Sequence, residues 1–92
     1  MYSTTYSARF FKDLKRCEKR GWDTEKLRDV VDKLQNEALL DPKYKTHPLR
    51  GEYRGYMECH VEPDWILIYT VDKTNKLIRI ARTGTHSDLF QN

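Results

Sequence analysis

The run His60-Val61-Glu62-Pro63-Asp64-Trp65-Ile66-Leu67-Ile68-Tyr69 decides how the rest of the chain folds. Residues 65–71 are dominated by aromatic and β-branched side chains, the composition of a central, well-buried strand. Pro63 cannot donate to a ladder, so Glu62-Pro63-Asp64 reads as a turn between two strands. His60 then closes one strand and Asp64-Trp65 opens the next. An imidazole, two carboxylates and an indole therefore crowd one mouth of a hairpin. The other two histidines of the chain, His47 and His86, flank that hairpin in sequence.

Working outward, segments 53–61, 65–71 and 77–83 alternate as strands, and the turns at 62–64 and 72–75 make them an antiparallel meander. Parity assigns the faces. Met57, Cys59 and Val61 point one way, and Tyr56, Glu58 and His60 point the other. Ile78 and Ile80 follow the apolar set and Arg79 the open side. By the same count Arg82 points coreward, unless a bulge or the strand end turns it. Ahead of the meander, segment 2–6 is rich in Thr and Tyr and fits an edge strand. Ser7 is the N-cap of a first helix with the stripe Phe10, Phe11, Leu14, Cys17, ending near Gly21 and carrying Lys12, Arg16, Lys19 and Arg20 opposite. Asp23 caps a second helix whose stripe Leu27, Val30, Val31, Leu34, Ala38 runs to about Leu40, where Asp41-Pro42 stops it. Trp22 is placed to staple onto Leu27. Residues 85–90 form a brief terminal turn or helix capped by Thr85. The expected architecture is α+β: two N-terminal helices on one face of an antiparallel sheet, a short C-terminal helix, and the other face bare.

With 92 residues the chain reads as one domain, 1–92, able to bury a modest core without staples. No apolar run approaches the length of a membrane span and the start has no signal-peptide pattern, so a soluble, cytoplasmic protein is expected. Cys17 and Cys59 sit on separate apolar stripes and read as buried thiols, although a disulfide is geometrically open. The net charge of +3 says little, but its distribution says more. Positions 9–20 carry six cations against two anions, and positions 43–54 carry four against one. Such a surface suits a phosphate backbone or an acidic partner, and a solvated helix face explains the first cluster equally well.

The reactive inventory is short: three histidines, Asp64 and several Lys/Arg. No nucleophile elbow, phosphate-cradling glycine loop or helical carboxylate pair is present. No cofactor is expected; a three-histidine zinc site is conceivable, but the spacing 47, 60, 86 is not diagnostic of one. Histidines move protons near neutral pH. Attack of an RNA 2′-hydroxyl on its own 3′-phosphate needs a base, an acid and cations around the phosphorane, and no metal. His60 with His47 or His86 fills the first two roles, and Lys45, Arg50 or Arg82 the third. Asp64 can orient a histidine. Trp65, Tyr56 and Phe90 can stack on unpaired bases. Each of these has a plainer reading: single histidines are mostly structural, Trp65 and Phe90 suit a core or lid, and Asp64 suits a turn.

The same residues carry a resemblance. Residues 44–51 (Tyr-Lys-Thr-His-Pro-Leu-Arg-Gly), Gly55-Tyr56, the run 60–69 and residues 82–90 (Arg-Thr-Gly-Thr-His-Ser-Asp-Leu-Phe) resemble the YafQ branch of the RelE/ParE superfamily, toxins of bacterial type II toxin–antitoxin systems. The helical half matches in pattern more than in letters. The resemblance implies a microbial-RNase-like fold and a ribosome-dependent endoribonuclease that enters the A site and cuts mRNA without a metal. It implies catalytic roles for His47, His60, Asp64, His86 and Phe90, and a phosphate contact at Arg82; Lys45, Arg50 and Trp65 stand as RNA contacts on their own chemistry alone. The implied partners are the ribosome, mRNA and a DinJ-like antitoxin that holds the toxin inactive. Two rivals share parts of this pattern: a ParE-like gyrase inhibitor, which would need no converging histidines, and a non-catalytic RNA-binding module.

Overall fold

Helix α1 (Ala8–Lys19) and helix α2 (Thr24–Gln35) begin where their capping side chains predict. Ser7 accepts the Phe10 amide and Asp23 accepts the Glu25 amide, satisfying donors that the first turn leaves without a partner. The computed structural model describes residues 1–36 and 44–90. The expected extension of α2 to Leu40 and its stop at Asp41-Pro42 lie outside the described residues. Strands β1 (Ser3–Tyr6), β2 (His47–Pro48), β3 (Met57–Glu62), β4 (Trp65–Asp72) and β5 (Leu77–Gly84) form one sheet, and α3 (His86–Leu89) closes the described chain.

The sheet order is β1-β5-β4-β3-β2. The β3–β4–β5 meander is antiparallel as expected, but β1 joins β5 in parallel, so the sheet is mixed. Parallel pairing requires a long connection between the two strands, and here both helices and the rest of the sheet intervene in the chain between β1 and β5. Beyond the reach of β1, α1 covers the distal edge of β5: Ser7 Oγ donates to the Ala81 carbonyl and Asp13 accepts the Thr83 amide.

One face of the sheet packs on the helices through Cys59, Trp65, Leu67, Tyr69, Ile78 and Ile80, against Phe10, Cys17, Leu27, Val30 and Val31. Each such aliphatic side chain contributes about 1.5–3 kcal/mol on burial. Phe11, expected on this stripe, is instead 52 % exposed, while Asp13 is buried in its place. The opposite face is not bare. Ile66, Ile68 and Leu89 form a second cluster there with Leu49, Tyr53, Tyr56, Ala81 and Phe90. A strand as apolar as residues 66–69 must cover both faces, and α3 with the 49–56 loop does so.

Two bulges set the side-chain directions. In β3 the register slips between His60 and Glu62; in β5 it slips so that Tyr69 opposes Ile80 while Ile68 opposes Arg82. The extra residue, Ala81, reverses the alternation. Ile80 therefore lies in the helix-side core while Arg82 shares the face of Ile68. Among the described residues no helix is long and apolar enough to cross a membrane.

Candidate active site

Alternation puts Glu58 and His60 on the same face of β3, over Ile68 and Ile66 of β4. In the short β2–β3 ladder His47 stands directly opposite Glu58, close enough for the side chains to meet. On the other flank, Ile66 pairs with both His60 and Gly84, so two residues past Gly84 the chain brings His86 alongside. The rings confirm this convergence: His47 and His60 centroids are 6.3 Å apart, and His60 and His86 centroids 5.6 Å.

At the centre is Glu58, only 3 % exposed. Its carboxylate lies 2.9 Å from His47 Nε2, 3.4 Å from His60 Nε2 and 3.5 Å from His86 Nε2. The far nitrogen of each ring is anchored. His47 Nδ1 meets the Lys45 carbonyl at 2.8 Å and His60 Nδ1 meets the Pro63 carbonyl at 3.1 Å. Carbonyl oxygens only accept, so Nδ1 carries the hydrogen in both rings. His86 Nδ1 faces Asp64 Oδ1 at 3.1 Å, and the same oxygen accepts the His86 amide at 3.2 Å. Three Nε2 atoms are thus turned toward one buried carboxylate. Hydrogen bonds from the His86 side chain and then its amide hold the exposed Asp64 carboxyl below the usual carboxylate range.

Phe90 lies beside the cluster, 5.9 Å from His86 and 5.6 Å from Tyr53 between ring centres. Lys45 contributes its carbonyl to His47 and keeps its side chain exposed. Arg50 is exposed next to the 3-10 turn Gly51–Tyr53. The Ala81 bulge delivers Arg82 to the histidine side of the sheet, but Asp13 takes its Nε at 2.7 Å and its Nη2 at 3.0 Å. Nη1 remains, 3.5 Å from the Tyr53 hydroxyl. Trp65 is corrected outright as a base-stacking platform. It is 3 % exposed, its indole donates to Thr83 Oγ1 at 2.9 Å, and Trp22 covers it at 4.9 Å, all on the helix side. One ring cannot fill a core and stack on a base.

Two features of the cluster escape sequence reasoning. Glu58 is the first. Its parity with His60 was legible, but a lone acid in a strand announces nothing until the β2–β3 register sets it under three imidazoles. The second is metal-binding capacity: Glu58, His60 and His86 each offer a ligand atom, all within 4.8 Å of one another. The set combines two imidazoles with a carboxylate, not the three histidines weighed from sequence. Cys59 takes no part; burial first, and Glu58 second, pushes its thiol up to about 12.

A family model described as bacterial toxin of type II toxin–antitoxin system, YafQ, matches residues 2–91. The mRNA interferase toxin YafQ of Escherichia coli (strain K12) is 50 % identical over 86 residues, covering 92 % of this chain and 91 % of that protein. The E. coli DinJ–YafQ complex contains a chain that superposes with a TM-score of 0.87 at 45 % identity, covering 98 % of this chain and 99 % of that one. A metal-bound toxin from Helicobacter pylori superposes with a TM-score of 0.90 at 42 % identity, covering 98 % and 100 %.

Proposed function

The chain belongs to the YafQ family of bacterial type II toxin–antitoxin toxins, and from that premise we propose that it is a ribosome-dependent mRNA interferase. The observation that carries this reading is the convergence of three Nε2 atoms on Glu58. Anchoring Nδ1 leaves Nε2 as the atom that exchanges protons with substrate, and two such atoms satisfy a base and an acid. One imidazole takes the proton of an RNA 2′-hydroxyl as its oxygen attacks the adjacent phosphorus. The P–O5′ bond breaks, and a second imidazole gives its proton to the leaving oxygen. The products are a 2′,3′-cyclic phosphate and a free 5′-hydroxyl, with no water or metal consumed. His60 and His86 are the central pair, with His47 completing the triad. Asp64 orients His86, and Glu58 holds the rings together by accepting from whichever Nε2 carries a proton, which leaves the basic ring free to take one. Arg82 Nη1, Lys45 and Arg50 supply positive charge for the phosphate, and Phe90 offers a ring face to a base.

Residues 1–92 constitute the toxin domain in this reading, acting in the cytoplasm in the ribosomal A site. A DinJ-like antitoxin neutralises it, by analogy with the E. coli complex. The test is translation of a defined message on purified ribosomes, with its ends mapped. Codon-aligned cuts bearing cyclic phosphate, abolished by His60→Ala and by His86→Ala in folded variants, are expected. Altered DNA supercoiling with an intact message would instead identify a gyrase inhibitor, and RNA binding without cuts a binding module.

A further inference from the structure

We propose that Arg20, at the C-terminal cap of α1, is a positioning residue for His86, acting through Asp88. This inference rests on the catalytic reading of His86, and its test is built to separate the two.

Helix α3 has four residues. A single turn cannot sustain itself, because forming the first turn fixes several dihedrals for little hydrogen bonding in return. Something else must fix the ring that its first residue carries. Part of the answer is local: Thr85 Oγ1 accepts the Asp88 amide and Asp88 Oδ2 accepts the Thr85 amide, a reciprocal capping box. That box sets the shape of the turn but not its place on the protein. Its place is set by Arg20, whose Nη1 and Nη2 donate to Asp88 Oδ2 and Oδ1 at 2.7 and 2.9 Å. Arg16 Nη1 adds a second cation at 3.5 Å.

Exposed ion pairs usually contribute little. This one departs from that pattern in two ways. The guanidinium and carboxylate meet fork to fork, which fixes direction as well as distance. The guanidinium also lies over the Trp22 ring at 5.0 Å, and Trp22 rests on buried Trp65 at 4.9 Å. Arg20 is therefore braced from behind by the core. The chain Trp65–Trp22–Arg20–Asp88 runs from the middle of the domain to the turn that bears His86. Gly84 completes the fit: a Cβ there would stand 2.9 Å from Asp88 Oδ2, and its φ of +150° is one that side chains rarely adopt. The basic stretch at positions 9–20, open to reading as an RNA-facing or solvated surface, thus spends two of its arginines on an internal contact.

The experiment compares Arg20→Gln, Arg20→Lys and Asp88→Asn with the parent in two measurements: cleavage kinetics on ribosomes, and NMR of the histidine ring protons. Misplacing a reacting group by about 1 Å costs up to ~100-fold. Arg20→Gln is therefore expected to lower kcat about 10- to 100-fold with KM within about twofold. His86 ring signals should move or broaden as its packing on Phe90 loosens, while His47 signals stay in place. Lysine restores the charge but not the fork or the stacking, so Arg20→Lys should fall between. Parent-like kcat and His86 signals in both Arg20→Gln and Asp88→Asn would overturn the inference. So would equal shifts at His47 and His86, which would mark general loosening. A protein that cuts no message yet shows the selective His86 shift keeps the structural coupling and overturns the proposed function instead.

Discussion

Changing Asp13 to Asn should destabilise this protein more than any exposed substitution. Asp13 is 2 % exposed and accepts three hydrogen bonds: Arg82 Nε at 2.7 Å, Arg82 Nη2 at 3.0 Å and the Thr83 amide at 3.2 Å. Arg82 is itself only 8 % exposed, and its hydrogen bonding to Asp13 raises its already high pKa, so it stays charged. An amide at position 13 removes the compensating charge and turns an NH2 toward a donor. Stranding a buried cation costs about 3–5 kcal/mol. A domain of this size loses ~4–8 °C of Tm per kcal/mol, so a fall of roughly 12 °C or more is expected in thermal unfolding followed by circular dichroism. Arg82→Met strands the opposite charge and should cost a similar amount. The double variant Asp13→Leu/Arg82→Met removes both charges and should be more stable than either single variant, with a coupling of about 2 kcal/mol or more. A Tm within about 3 °C of the parent for Asp13→Asn, or additive single effects, would refute the buried-pair argument.

Glu58→Gln should leave the fold in place and reduce message cleavage by about 10- to 100-fold, since a neutral amide neither balances a protonated imidazole nor holds the rings in register as the carboxylate does; parent-like turnover would remove Glu58 from the site. Cleavage should persist in excess chelator while ribosomes stay intact. Added Zn2+ or Cu2+ should inhibit by occupying the Glu58–His60–His86 donors, and activity that needs added metal would contradict the proposed chemistry. Asp64 and Asp88 both have carboxyls held below the usual range, by His86 and by Arg20 respectively. Their stabilising contacts are therefore complete above about pH 4, the ordinary carboxylate value, and fade only as pH falls through the lower folded values. The amide proton shift of Thr85, which donates to Asp88, should carry no carboxylate titration between pH 7 and 5 and turn over only below about 4. A midpoint above that would count against the assigned contacts. RNA affinity should fall steeply with salt as phosphate-bound cations release counterions, and a flat dependence would remove the basic surface from the mechanism.

Much of this molecule is written locally. Ser7, Asp23 and Thr85 mark helix starts because a cap needs only its own next three residues. Pro63 marks the turn, and the alternation of Glu58 and His60 marks the open face, for equally short-range reasons. The three histidines, Asp64 and Phe90 were legible as a set through the resemblance, and the fold brings them together. What the chain could not declare is whatever depends on which distant strand lies opposite which. Glu58 meets His47 only because β2 pairs the two residues across the sheet. The direction of Arg82 turns on one extra residue, Ala81, in β5. Its availability is limited by Asp13, 69 positions away. Trp65, promising in the sequence, is withdrawn into the core by Trp22. Arg20 is an ordinary surface cation until the end of the chain sets Asp88 before it. Capping, turns and strand parity are governed by neighbours in sequence and survive reading one residue at a time. Register, bulges and ion-pair partners are settled by the packing of the whole chain, and only the folded structure could decide them.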